Sequence, residues 1–78
     1  MTRQEYRRIG SFYWNQNLGM FDIAFSNYTY GGIRPGEQFF VLLKNGYWVR
    51  TELVWDGRAW VLRGVGLAVN SCGRLAKI

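Results

Sequence analysis

Cys72, set between Ser71 and Gly73 and two residues before Arg74, is the most nucleophilic side chain this sequence offers. A thiol attacks as its thiolate, and a neighbouring guanidinium favours that form, so Arg74 supplies half of an activated site. The other half is missing. The chain has no histidine and no second cysteine, whereas covalent catalysis by a thiol needs a base beside it and a structural zinc site needs further thiolate or imidazole ligands. Cys72 therefore reads as an inert, semi-buried thiol. Asp22, Glu37, Glu52 and Asp56 fall in different segments of the chain, so only the fold can bring any two of them together for acid–base work. Asp56 has a ready task in a turn, and Glu52 is placed to offset Arg50 or Arg63 across a sheet. The glycine-rich "YGGIRPG" at Tyr30 to Gly36 lacks the strand, lysine and helix context of a phosphate loop. These residues predict no enzyme, no metal and no cofactor.

Recognition is the chemistry the remaining residues suit. Trp48, Arg50 and Arg63 combine large aromatic area with directional cationic donors, the composition that dominates binding hot spots. Tyr28, Tyr30 and Arg34, in the loop "SNYTYGGIRPGE", extend the set. A protein or nucleoprotein partner is the leading reading. The alternative is single-stranded nucleic acid, which small barrels bind with aromatic platforms in basic grooves.

Short strands must position these side chains. Turn residues cut the chain into "GSFYW", "MFDIAF", "QFFVLL", "YWVRTELVW", "AWVLRG" and "RLAKI", with a looser "VGLAVNSCG" before the last. No segment has the period of an amphipathic helix, and ten glycines oppose long ones. The pattern predicts an all-β domain, a small five- to six-stranded SH3-like barrel or rolled antiparallel sheet. Asn45-Gly46 and Asp56-Gly57, each between apolar runs, are strong signals for two-residue hairpin turns. Such turns place Leu42 opposite Val49 and Leu53 opposite Trp60. With side chains alternating in period two, Phe40, Leu42, Val49, Thr51, Leu53, Trp60 and Leu62 then form the core face. Phe39, Val41, Leu43, Trp48, Arg50, Glu52, Val54, Val61 and Arg63 form the other. That second face is either covered in part by the N-terminal hairpin or left exposed as a binding patch.

Length and charge set the outer limits. A chain of 78 residues makes one domain, 1–78, able to bury only ~60% of its unfolded surface. Ten Lys and Arg against five Asp and Glu give a net charge of +5, a basic protein suited to anionic partners or simply to solubility. A single cysteine is expected of a cytoplasmic protein. The start, "MTRQEYRRIG", carries charges where a secretory signal needs an apolar run, and no stretch reaches the ~20 apolar residues of a membrane helix.

With these segments in place, the chain resembles a short uncharacterised bacterial family, a domain of unknown function associated with Firmicutes genomes, phages and conjugative elements. The matching pieces are Gly10 ahead of the first strand, "FDIAF" at Phe21 to Phe25, "GGIRPGEQFFV" at Gly31 to Val41, "NGYWVRTEL" at Asn45 to Leu53, "WVLRG" at Trp60 to Gly64 and the terminal "GRLAKI". The resemblance implies a small all-β domain without assigned catalysis, and it transfers no functional residue. It also implies a phage or mobile-element setting, in which small proteins often bind and block host enzymes or defence complexes, an anti-CRISPR inhibitor being one instance.

Overall fold

Asn45-Gly46 does lie in a hairpin turn, but the turn is one residue longer than a type I′ loop. In the computed structural model, which describes residues 8–78, the Gly46 amide donates to the Leu43 carbonyl at 2.9 Å and the Leu43 amide to the Tyr47 carbonyl at 2.9 Å. Gly46 has φ +89° while Asn45 keeps a negative φ. This is a three-residue loop, in which a type I turn is followed by a left-handed glycine. The register moves by one, so Val41 faces Val49 and Leu42 faces Trp48. A one-residue move exchanges the two faces of a strand. Phe39 and Val41 are therefore fully buried, and Phe40 and Leu42 turn outward, half-buried. The expected core places for Phe40 and Leu42 are overturned.

The Asp56-Gly57 hairpin is also longer, by two residues. Asp56 Oδ1 accepts the amides of Arg58 and Ala59, each at 2.8 Å, and the Asp56 amide closes the loop on the Ala59 carbonyl at 3.1 Å. Trp55 thus stands opposite Trp60, and Leu53 opposite Leu62 rather than Trp60. An even shift preserves parity. Thr51, Leu53 and Leu62 are buried as expected, while Trp60 is only half-buried.

Among the described residues, seven strands result, joined in one antiparallel sheet. They are β1 (Ile9–Asn15), β2 (Met20–Ala24), β3 (Gln38–Leu42), β4 (Trp48–Trp55), β5 (Trp60–Leu62), β6 (Gly66–Leu67) and β7 (Leu75–Lys77), with a 3-10 turn at Ala68–Ser71. Their order is β2-β1-β7-β3-β4-β5-β6. The sheet is rolled but not closed into a barrel, and it has more strands than the five or six expected. The extra one comes from the glycine-rich "VGLAVNSCG", where β6 is too short to show a pattern. Gly10 lies inside β1 rather than ahead of it.

The roll encloses its inner face. Phe12 stacks on Phe21 and on Phe39, with ring centroids 5.2 and 5.7 Å apart, and Ile23, Ile33, Val41, Leu53, Leu62, Ala68 and Ala76 complete the buried cluster. The N-terminal hairpin does cover Phe39, but as core and not as part of the Trp48 face. Where β1 and β2 approach the β4–β5 hairpin, Trp14, Met20, Phe21, Ile33, Pro35, Leu53 and Trp60 leave a slot of about 60 Å³.

The loop after β2 is a strap, not a free connector. Its backbone donates from Tyr30 to the Ile23 carbonyl at 2.9 Å and from Ile33 to the Phe21 carbonyl at 2.8 Å, so it occupies the open edge of β2, as exposed sheet edges require. Beneath it Asp22 is fully buried. Among the described residues, no helix is long and apolar enough to cross a membrane.

Candidate functional site: the outer face of β7, β3 and β4

The exchanged faces of β3 create the site. Phe40, now pointing outward, pairs with Arg50 on β4 and with Lys77 on β7, so a half-buried ring lies between two cations. Leu42 pairs with Trp48 on the same face. The Arg50 guanidinium carbon is 5.7 Å from the Phe40 ring centre. Lys77 Nζ is 5.7 Å from the Phe40 centre and only 4.3 Å from that of Trp48. Contacts of this kind contribute ~0.5–1 kcal/mol each at exposed sites, enough to hold a flexible cation beside a ring. Further along β4, Glu52 Oε2 accepts from Arg63 Nε at 2.6 Å. Arg63 is 66% exposed. Trp48, Arg50 and Arg63, grouped by the sequence, do share one face.

Tyr28, Tyr30 and Arg34 belong to a different cluster, built into the strap. Tyr28 leans on Phe25 with ring centres 4.9 Å apart. The Tyr30 hydroxyl donates to Glu37 Oε2, and the Arg34 amide donates to Glu37 Oε1 at 3.1 Å. Arg8 lies over the rings of Phe25 and Tyr30 at 5.2 and 5.6 Å. The hydrogen bond to Glu37, then burial and the Glu37 charge, push ionisation of Tyr30 above its ordinary range. Tyr30 is thereby a neutral donor that anchors the strap, while Tyr28 and Arg34 remain exposed.

Each carboxylate singled out in the sequence has a structural partner. Glu37 takes Tyr30 and the Arg34 amide, and Glu52 takes Arg63. Asp56 is held below the usual carboxylate range by the Ala59 and Arg58 amides. Asp22 receives the amides of Ile23, Gly31 and Gly32 at 2.8, 3.0 and 2.9 Å and the Asn15 side chain at 2.8 Å. Burial alone would raise its pKa, but these four donors together outweigh it and hold the carboxyl below its ordinary value. Cys72 is exposed as a residue, yet desolvation pushes its thiol up, only partly offset by a hydrogen bond with the Trp14 backbone. A raised thiol is poorly nucleophilic.

Sequence reasoning missed Phe40 and Lys77. The first was lost to the extra loop residue at Gly46. The second sits on a terminal strand that inserts between β1 and β3, a non-local pairing that no local pattern announces.

Residues 10–71 match the family model described as Domain of unknown function (DUF5348). None of the curated proteins and none of the solved structures matches the chain.

Proposed function

Because the chain belongs to the DUF5348 family, a domain of unknown function, we propose a function from its own geometry: it is a non-enzymatic binding module that engages a host protein or nucleoprotein complex. The observation that carries this reading is the bracketing of Phe40 by Arg50 and Lys77 on the outer sheet face, with Lys77 also over the Trp48 ring. Aromatic area and cationic donors there are preorganised on a rigid scaffold, which lowers the entropy lost on binding. Half-buried Leu42, Val54 and Val61 extend the apolar part of the face. The raised thiol of Cys72 and the engaged carboxylates agree with a module that performs no chemistry.

The finer reading is a cytoplasmic protein of phage or mobile-element type, with anti-defence inhibition, including anti-CRISPR inhibition, as its concrete form. The β3-to-β6 meander, followed by the return of β7 beside β1, supports an SH3-like arrangement of the rolled sheet. Affinity capture from a native host lysate tests the binding reading, with wild type compared against Trp48→Ala/Arg50→Ala of unchanged melting temperature. A partner retained by wild type and lost by the double variant is expected. Equal retention would overturn the assignment to this face.

A further inference from the structure

Resting on that reading of the outer face, we infer that the group it contacts is single-stranded nucleic acid, a base stacking against Trp48 with its phosphates met by Lys77 and Arg50. The first ground is charge. Among the described residues, Lys77, Arg50 and Arg63 share the face with one carboxylate, Glu52, and Glu52 is already paired with Arg63 at 2.6 Å. Among the described residues the face therefore presents two cations, Arg50 and Lys77, that no carboxylate pairs, on a chain of net charge +5, and its complement is a polyanion.

The second ground is where those cations sit. Arg50 and Lys77 are on the strands either side of Phe40, two strand spacings or roughly 10 Å apart at the backbone. Between them lies the ring of Phe40, and the ring of Trp48 lies against Lys77. An unpaired base offers a π-face to an aromatic side chain and carries a phosphate on each side, and such stacking tolerates any sequence. Lys77 Nζ occupies the Trp48 ring at 4.3 Å, the place a base would take. An arriving base displaces the ammonium from the indole and leaves it beside the strand's own phosphate, so the cation–π contact keeps the lysine poised in the free protein. A duplex hides its base faces, and this chain offers no helix of major-groove length among its described residues. The unpaired strand is thus the form the face fits.

The test uses the intact chain and a fluorescein-labelled oligothymidylate, with the matching duplex and inorganic polyphosphate as controls. Binding of the single strand, quenching of tryptophan emission, and much weaker binding of duplex are expected. Neutralising two phosphates predicts a log–log salt slope of about −1.4 for single strands, or ~7-fold weaker binding between about 50 and 200 mM salt. Arg50→Ala and Lys77→Ala should each halve that slope. Trp48→Phe should keep most of the affinity while abolishing most of the quench, and Trp48→Leu should lose affinity with an unchanged melting temperature. Equal binding of polyphosphate, or affinity indifferent to all four variants, overturns the inference. Absence of oligonucleotide binding while Trp48→Ala/Arg50→Ala still loses a captured protein also overturns it, but leaves the binding face standing. Absence of both removes the face as well.

Discussion

The Asn15 side-chain amide donates to the Asp22 carboxylate at 2.8 Å across the turn that joins β1 to β2. Asn15 Oδ1 meanwhile accepts the Asn17 and Leu18 amides at 3.1 and 3.3 Å, so one side chain ties the turn to the buried acid. Through Asp22 the tie continues to Gly31 and Gly32, whose φ values of +104° and +100° turn both amides toward one oxygen. The strap is fastened to the sheet at this point.

Replacing Asp22 with alanine leaves three backbone amides and the Asn15 amide without their acceptor, and should cost roughly 2–4 kcal/mol, read as a lower urea midpoint. Asp22→Asn should cost less, because one oxygen can still accept from the amides. The pH dependence follows from the direction of the shift. A carboxyl with a depressed folded pKa gives stability that is full above its unfolded pKa, near 3.9, and is lost as pH falls through the folded value. Melting temperatures measured from neutral pH downward should therefore hold level to about pH 5 and then fall. Asp22→Asn should make that fall shallower.

Phe39 and Phe40 are neighbours in sequence and opposites in the fold. Phe39→Ala should cost about 3–5 kcal/mol, as for other buried rings, enough to unfold much of so small a domain. Phe40→Ala, at a half-buried position, should cost ~1 kcal/mol. Denaturant unfolding of the two variants side by side checks the register of the β3–β4 hairpin, and equal losses would contradict it.

That pair also marks how far the sequence could be read. Strand positions, the all-β class and the core parity of β4 and β5 were legible, because alternation and turn residues are local signals. The parity of β3 was not. Asn-Gly favours a two-residue turn, and here Asn45 keeps a negative φ while Gly46 alone adopts the left-handed region. Asp22 was hidden for another reason. A carboxylate in an alternating strand looks solvent-facing, and its burial depends on a strap whose path along β2 is set by tertiary contacts. Trp48, Arg50 and Arg63 were found through residue type, and parity on β4 and β5 was enough to place them together. Lys77 required the position of β7.

Gly10 should resist substitution by alanine. Its backbone φ is unexceptional, but a Cβ there would lie 2.3 Å from the Ala24 carbonyl oxygen and 2.8 Å from Ile23 Cγ2. The nearer obstacle is backbone and cannot rotate away, so β1 and β2 would have to separate. Gly10→Ala should cost about 1–3 kcal/mol or more. Gly57→Ala is the control, since open space surrounds its Cβ position and only its φ of +97° opposes the change. Thermal melts should rank Gly10→Ala below Gly57→Ala.

Glu52 restrains the outer face, and removing its charge should strengthen polyanion binding. In the free protein its carboxylate holds Arg63, an exposed pair of the kind that contributes no more than ~1 kcal/mol to stability. Glu52→Gln should thus barely change the melting temperature. It releases Arg63 to act beside Arg50 and Lys77, which should steepen the oligothymidylate salt slope from about −1.4 to about −2.1. The gain should be largest at low salt and shrink as salt screens it. Adding Arg63→Ala to Glu52→Gln should return the slope to the wild-type value, which separates release of Arg63 from simple loss of a negative charge. An affinity unchanged in Glu52→Gln would place Arg63 outside the contact and confine the interface to the β7–β3–β4 strip.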